Sequence, residues 1–245
     1  MDNPGAALCY DNNNSNSIYL FFAINLIPLA MLLINFSCVS NKTDIVALVN
    51  DEPLTTAELR HWILLNKSAV YNHFYRNYDI ADRNDFWEGV CNNESPGEML
   101  INLALQDAVR CKVQQLLAME KGIISNINYD DLMEEMKEVN IERKERIKKG
   151  QPVYGPVQFT SRTYFAHVFD KMTYELKILL SATSLKIEDS EIEIMNKNFN
   201  QSPGKIKGFL QMQHVDRKYG SYIDELENSA KVVVNSEVLD KIRIE

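Results

Sequence analysis

The stretch Ile45–Val49, "IVALV", sets the first constraint on this chain, because five apolar residues in extended form cannot be buried alone. Each residue carries a backbone donor and an acceptor, and leaving them unpaired in a core is costly. The run ends at Asn50-Asp51-Glu52-Pro53, a turn signal, and a helix start follows directly. A partner strand is therefore needed from elsewhere. After residue 43 the one other short β-branched run is Ala230–Val234, "AKVVV". The expectation is that these two runs pair and join the ends of an otherwise helical domain, burying roughly eight apolar side chains in the closure.

The rest of the chain reads as helix. Only 9 Gly and 7 Pro occur in 245 residues, so turns are few and regular segments long. Thr55 and Glu58 have capping-box spacing, and Leu59, Trp62, Ile63, Val70 and Phe74 follow at helical spacing to about Tyr78. Ser95-Pro96-Gly97-Glu98 is a second start, with Ser as cap and Pro at the first position. That helix runs to a stop at Gly122, and its wide apolar arc makes it the most buried of the set. Tyr129–Lys149 is acidic first and basic last, which complements the helix dipole, and Glu142–Arg146 and Glu145–Lys149 are spaced as i,i+4 pairs. Its charges read as a solvated face.

A Pro/Gly-punctuated loop, "GQPVYGPVQFTS", then presents Tyr154 and Phe159. An amphipathic helix follows, with Phe165, Val168, Phe169, Met172, Leu176, Leu179 and Leu180 on one face and Tyr164 and Tyr174 flanking it. Such a stripe serves as core or as one wall of a groove for another chain. A short helix with Ile192, Met195 and Phe199 is expected before the break "NQSPG", and a final helix from about Lys205 precedes the closing strand.

Upstream, Ile18–Phe36 is uncharged for 19 residues, long enough for a membrane span or a secretory apolar region, and Ser37-Cys38 follows at once. This divides the chain into a signal or membrane-anchor segment (1–38), a linker (39–43) and a helical domain (44–245). Cys38 is the candidate lipidation site. The expected location is extracytoplasmic and membrane-anchored, as a bacterial lipoprotein or through an uncleaved anchor.

The formal charge of −8 without a basic cluster argues against nucleic acid as a partner. The four cysteines and four histidines form no zinc pattern, so no metal is expected. Cys91 and Cys111 are two free thiols or a disulfide. No G-x-S-x-G, P-loop or G-x-G-x-x-G occurs, and no catalytic residue or small-molecule cofactor is expected.

The leader, then "VALVNDEPLTTAEL", then "SPGEMLINLALQDAVRCKVQQLLAMEKGI", with "LKIEDSEIEIMNKNF" and the ending "YIDELENSAKVVVNSEVLDKI", resembles the SurA/PrsA-type foldases. The resemblance implies a mainly α, SurA N-terminal-like peptide-binding domain with a small two-stranded sheet. Members commonly carry an inserted parvulin domain that isomerises prolyl bonds. Here only "NQSPG" stands where that domain would be inserted, so the chain is expected not to be an enzyme. With the apolar leader, the resemblance implies a membrane-attached chaperone-like protein for unfolded or exported polypeptides; the loop aromatics and the amphipathic stripe supply Tyr154, Phe159, Tyr164, Phe165 and Phe169 as candidate client-binding residues. Residual isomerase activity, or a helical lipoprotein with one folded partner, are the alternatives.

Overall fold

The computed structural model describes residues 44–80, 85–186, 190 and 203–244. The apolar run 18–36, Cys38, the linker and the helix expected around Ile192, Met195 and Phe199 lie outside the described residues.

Strand β1 (Ile45–Val49) turns through Asn50 and Asp51 into β2 (Glu52–Thr55). Both turn residues have positive φ, at 50° and 68°, as a two-residue type I′ hairpin requires. The turn is thus tighter than the four-residue signal suggested, and Glu52 and Pro53 already pair with Val49 and Leu48. Strand β3 (Val232–Val234) lies antiparallel on the other side of β1, with Ala47 opposite Val234 and Val49 opposite Val232. The two ends of the domain therefore meet as expected, but in a three-stranded sheet of order β2-β1-β3 instead of a two-stranded one. Asn50 fastens the join: its N–H donates to the Lys231 carbonyl and its Oδ1 accepts from the Lys231 N–H, both at 2.8 Å.

The sheet buries less than expected. Val46, Ala47 and Val49 of β1 and Leu54 of β2 are sealed in the core, whereas all three valines of β3 are exposed. Strand β3 contributes mainly backbone pairing, and the apolar gain comes from β1 and β2.

Helix α1 (Thr56–Tyr78) is capped by Thr55, whose Oγ1 accepts from the Glu58 N–H at 3.2 Å. A 3-10 turn (Phe86–Glu88) leads to α2 (Pro96–Glu120), capped by Ser95. Gly97 is required there, since a Cβ would come within 2.5 Å of the Trp87 carbonyl oxygen. Helix α2 ends in a Schellman motif: Gly122, at φ 70°, donates to the Met119 carbonyl and Ile123 to that of Ala118. Helix α3 (Tyr129–Lys148) closes in the same way at Gly150. Helix α4 (Ser161–Ser181), the long α5 (Pro203–Ser229) and the single turn α6 (Ser236–Leu239) complete the chain. Pro203 opens α5 from its first turn, so the Pro-Gly pair read as a breaker is a helix start.

Helix α2 spans two cores. Its first half packs Leu100, Ala104 and Ala108 against Leu59, Ile63, Val70 and Phe74 of α1 and the buried face of the sheet. Its last turns pack Leu117 and Ala118 against Met172, Leu176 and Leu180 of α4 and Tyr219 and Ile223 of α5. The amphipathic stripe of α4 is thus largely core, as its spacing allows. Val109 and Val113 meet Val49 between the two cores. The Tyr219 hydroxyl donates to Gln114 Oε1 at 2.8 Å, a buried tie between α5 and α2. Cys91 and Cys111 are free thiols, and burial pushes the Cys111 thiol well up.

A charge pair lies inside this apolar frame. Lys112 Nζ of α2 donates to Glu58 Oε2 of α1 at 3.0 Å, and each side chain is only 2% exposed. Burial raises the Glu58 carboxyl above its ordinary range, while Lys112 and the Thr55 backbone pull it the other way. The carboxylate therefore receives the Thr55 backbone N–H, as a capping box requires, and reaches inward to Lys112 of the next helix as well. Glu58→Gln leaves the Lys112 ammonium buried without a counter-charge and is expected to cost about 3–5 kcal/mol by urea unfolding at neutral pH. Glu58→Leu with Lys112→Met is expected to recover most of that loss.

Candidate functional site

Helix α3 carries no buried residue, unlike α1, α2 and α4. Its amino end is set by Asn128, whose Oδ1 accepts from the Asp130 and Asp131 N–H groups at 2.8 and 3.2 Å. The loop of residues 150–160 then doubles back along it. Asn140 holds that loop with both ends of its amide: Oδ1 accepts from the Phe159 N–H at 2.7 Å and Nδ2 donates to the Phe159 carbonyl at 2.9 Å. The Arg143 guanidinium donates to the carbonyls of Tyr154 and Pro156 and lies over the Phe159 ring at 4.9 Å. Arg146 donates to the Pro152 carbonyl at 3.0 Å. Part of the charge read as a solvated face is therefore structural, because these side chains satisfy the carbonyls of a loop with no ladder of its own. Of the expected i,i+4 pairs, Glu142–Arg146 closes at 4.0 Å.

Helix α4 begins where the loop ends. Thr160 and Thr163 form a reciprocal capping box, with side chain to backbone distances of 3.2 and 2.9 Å. The box sets the first turn of α4, Asn140 ties the preceding Phe159 to α3, and a groove of about 940 Å³ lies between the two helices. Its walls include Ile123, Ile124, Val139, Tyr154, Phe159, Tyr164 and Met172, and its charged lining includes Glu135, Arg143, Asp170, Lys171 and Glu175. His167 lines it too and stacks on Phe159 at 5.5 Å. Burial and a hydrogen bond to Glu135 push the Tyr164 hydroxyl up to about 12, so it stays a neutral donor at physiological pH.

The five expected residues divide into two sets. Tyr154, Phe159 and Tyr164 line this groove, with Tyr154 almost fully exposed and the other two largely covered. Phe165 and Phe169 stack on each other at 5.9 Å and line a separate small cavity of about 50 Å³ with Gln115, Ile124 and Tyr129. Phe165 also sits 4.4 Å from the His61 ring and makes an edge contact with Trp62, which gives it a packing role between α4 and α1. Sequence reasoning missed Asn140, Arg143 and Arg146 as the loop's supports, and His167 and Ile123 as part of the groove wall. Of the methionines, Met172 lines the groove and Met136 a second depression, whereas Met212 is exposed.

Among the described residues, no group of three or more His, Cys, Asp or Glu could hold a metal ion, and no helix is long and apolar enough to cross a membrane. The arrangement offers shape, apolar area and hydrogen-bonding edges. No family model, curated protein or solved structure matches the chain.

Two outcomes follow from this geometry. Asn140→Ala frees both ends of the Phe159 peptide group, so amide exchange at Phe159 is expected to rise at least about tenfold while global stability falls by only about 1–2 kcal/mol. His61 is held neutral: burial, and then the nearby Arg162 cation, push it down to about 4 from an ordinary 6.5. Between those values the unfolded chain binds the extra proton. The stability His61 confers is therefore complete above about pH 6.5 and is lost as the pH falls toward 4, by up to about 3 kcal/mol. Urea unfolding across that window is expected to show a shallower acid slope for His61→Gln than for the wild-type chain.

Proposed function

We propose that this protein is a chaperone-like binding module that holds unfolded or exported polypeptides in the groove between α3 and α4, attached to a membrane on the extracytoplasmic side through its N-terminal segment and Cys38. The observation that carries the reading is the groove itself. It is partly open to solvent, holds about 940 Å³, and is lined by a mixture of aliphatic, aromatic and charged side chains. A site of that character suits an extended chain with varied side chains better than one small molecule with fixed donors and acceptors. Tyr154, exposed at the mouth, presents a large ring with few torsions to immobilise, which favours contact with unlike partners. The resemblance to the SurA/PrsA-type foldases points the same way. On this reading the module binds without isomerising.

Residues 40–245 form one compact unit that contains both cores, so this unit is the reagent for a test. At near-stoichiometric ratio it is expected to delay light-scattering aggregation of a chemically unfolded enzyme, and Tyr154→Asp is expected to weaken that effect several-fold. No delay at about tenfold excess of the module would sink the proposal, since at micromolar affinity nearly all of a micromolar client is bound there.

A further inference from the structure

The groove between α3 and α4 carries an uneven set of charges. Glu135 and Arg143 of α3 and Asp170, Lys171 and Glu175 of α4 line it, two cations against three carboxylates. The imbalance is greater among the groups that an incoming chain can reach. Arg143 is committed to the protein: its Nη2 donates to the Tyr154 and Pro156 carbonyls, its Nε is buried, and its guanidinium lies 4.9 Å from the centre of the Phe159 ring. Glu135 accepts from the Tyr164 hydroxyl and keeps a second carboxylate oxygen. Among the described residues, Asp170, Lys171 and Glu175 form no ion pair. A cationic side chain therefore meets three carboxylates and one competing ammonium, and an anionic side chain meets the reverse.

We infer that the groove selects polypeptide segments that carry Lys or Arg among apolar and aromatic residues, and rejects acidic ones. This rests on the groove being the client site, and it names the chemistry of the client. Lys and Arg suit the groove in two ways. Their methylene stems lie on apolar walls such as Ile123, Ile124 and Met172, while the charged head reaches a carboxylate. Tyr154, 84% exposed, offers a cation the face of its ring as a second seat. Phe159 does not, since Arg143 and His167 already flank its ring.

Apolar walls of low dielectric focus the field of the carboxylates into the groove, which steers cationic segments toward it and speeds their capture. Each contact taken singly is an exposed pair, weak and screened by salt. Discrimination therefore comes from the sum, with three attractions for a basic segment and three repulsions for an acidic one. The chain as a whole carries −8, so the test compares the groove carboxylates with an equal number elsewhere.

The test titrates residues 40–245 into three short labelled peptides and follows fluorescence anisotropy, with circular dichroism to confirm folding of each variant. The peptides share the same Phe, Tyr, Leu and Ile residues and differ in carrying several Lys, several Gln or several Glu. At about 0.05 M salt the Lys peptide is expected to bind at least about tenfold tighter than the Glu peptide, and the gap to shrink severalfold at about 0.5 M. Glu135→Gln, Asp170→Asn and Glu175→Gln together are expected to weaken the Lys peptide at least about fivefold and to strengthen the Glu peptide, with the Gln peptide unmoved. Glu88→Gln, Glu138→Gln and Glu237→Gln together remove the same charge from exposed positions outside the groove, and are expected to shift any of the three peptides by less than about twofold. Equal affinity for the Lys and Glu peptides, or a preference for the Glu peptide, overturns the inference and leaves the groove standing as a client site. An equal response to the two triple variants does the same. Binding of no peptide at about 1 mM of the unit overturns the client-site reading together with this one.

Discussion

A five-residue strand in a helical protein must find hydrogen-bond partners on both of its edges, and the rest of this structure is arranged around that need. Strand β1 obtains one partner locally, through the Asn50-Asp51 hairpin, and the other from a segment at the far end of the domain. Its inward residues are then free to be wholly apolar, because no polar backbone group is left to water on their account. Val46 and Ala47 join the α1–α2 core, and Val49 meets Val109 and Val113 on α2. The strand thereby fixes where α2 lies, and α2 in turn carries the second core on its last turns.

Apolar packing alone would leave some freedom of rotation and slip between α1 and α2, since leucines and alanines interchange contacts at modest cost. The Glu58–Lys112 pair removes that freedom. Any offset separates two buried charges that have no access to water, a penalty of several kcal/mol per ion. The pair sits at the first turn of α1, next to Thr55 and the end of β2, so it also couples the helix pair to the sheet. Since replacing both partners by apolar residues is expected to change stability little, the part expected of the pair is in register. Arg110, with Asp224 and Glu227 of α5 at 2.6 and 2.7 Å, plays a looser version of the part at the surface.

Much of the architecture was legible in the sequence because it rests on local signals. Thr55, Ser95 and Gly122 mark helix ends by backbone chemistry that needs no distant partner, and the pairing of the first and last extended runs followed from the scarcity of other candidates. Three things were not legible. Glu52-Pro53-Leu54-Thr55 has too little alternation and a proline, so β2 is visible only once the edge of β1 is seen to need it. The exposure of β3 is a tertiary matter, since "VVV" reads the same whether covered or bare. The bolting of the 150–160 loop to α3 by Asn140, Arg143 and Arg146 was hidden in a run of charge that resembles any solvated helix. Asn140 was the usable clue, because an asparagine in mid-helix is a poor helix former whose amide seeks other work. For the groove, Tyr154 and Phe159 stood out as aromatics in a loop, whereas Phe165 could not be separated from the core stripe on which it lies.

The bond between Asn50 and Lys231 spans 181 positions of chain. Closing a loop of that length costs about 5 kcal/mol of chain entropy or more, and short-range helix formation cannot defray it. During vectorial synthesis the β1–β2 hairpin emerges early and then waits, with one bare edge, until nearly the whole domain has been made. The second edge of β1 has no partner until residues 232–234 have been made, and an open strand edge is adhesive. For that interval the nascent chain is itself in need of the kind of protection it is proposed to give.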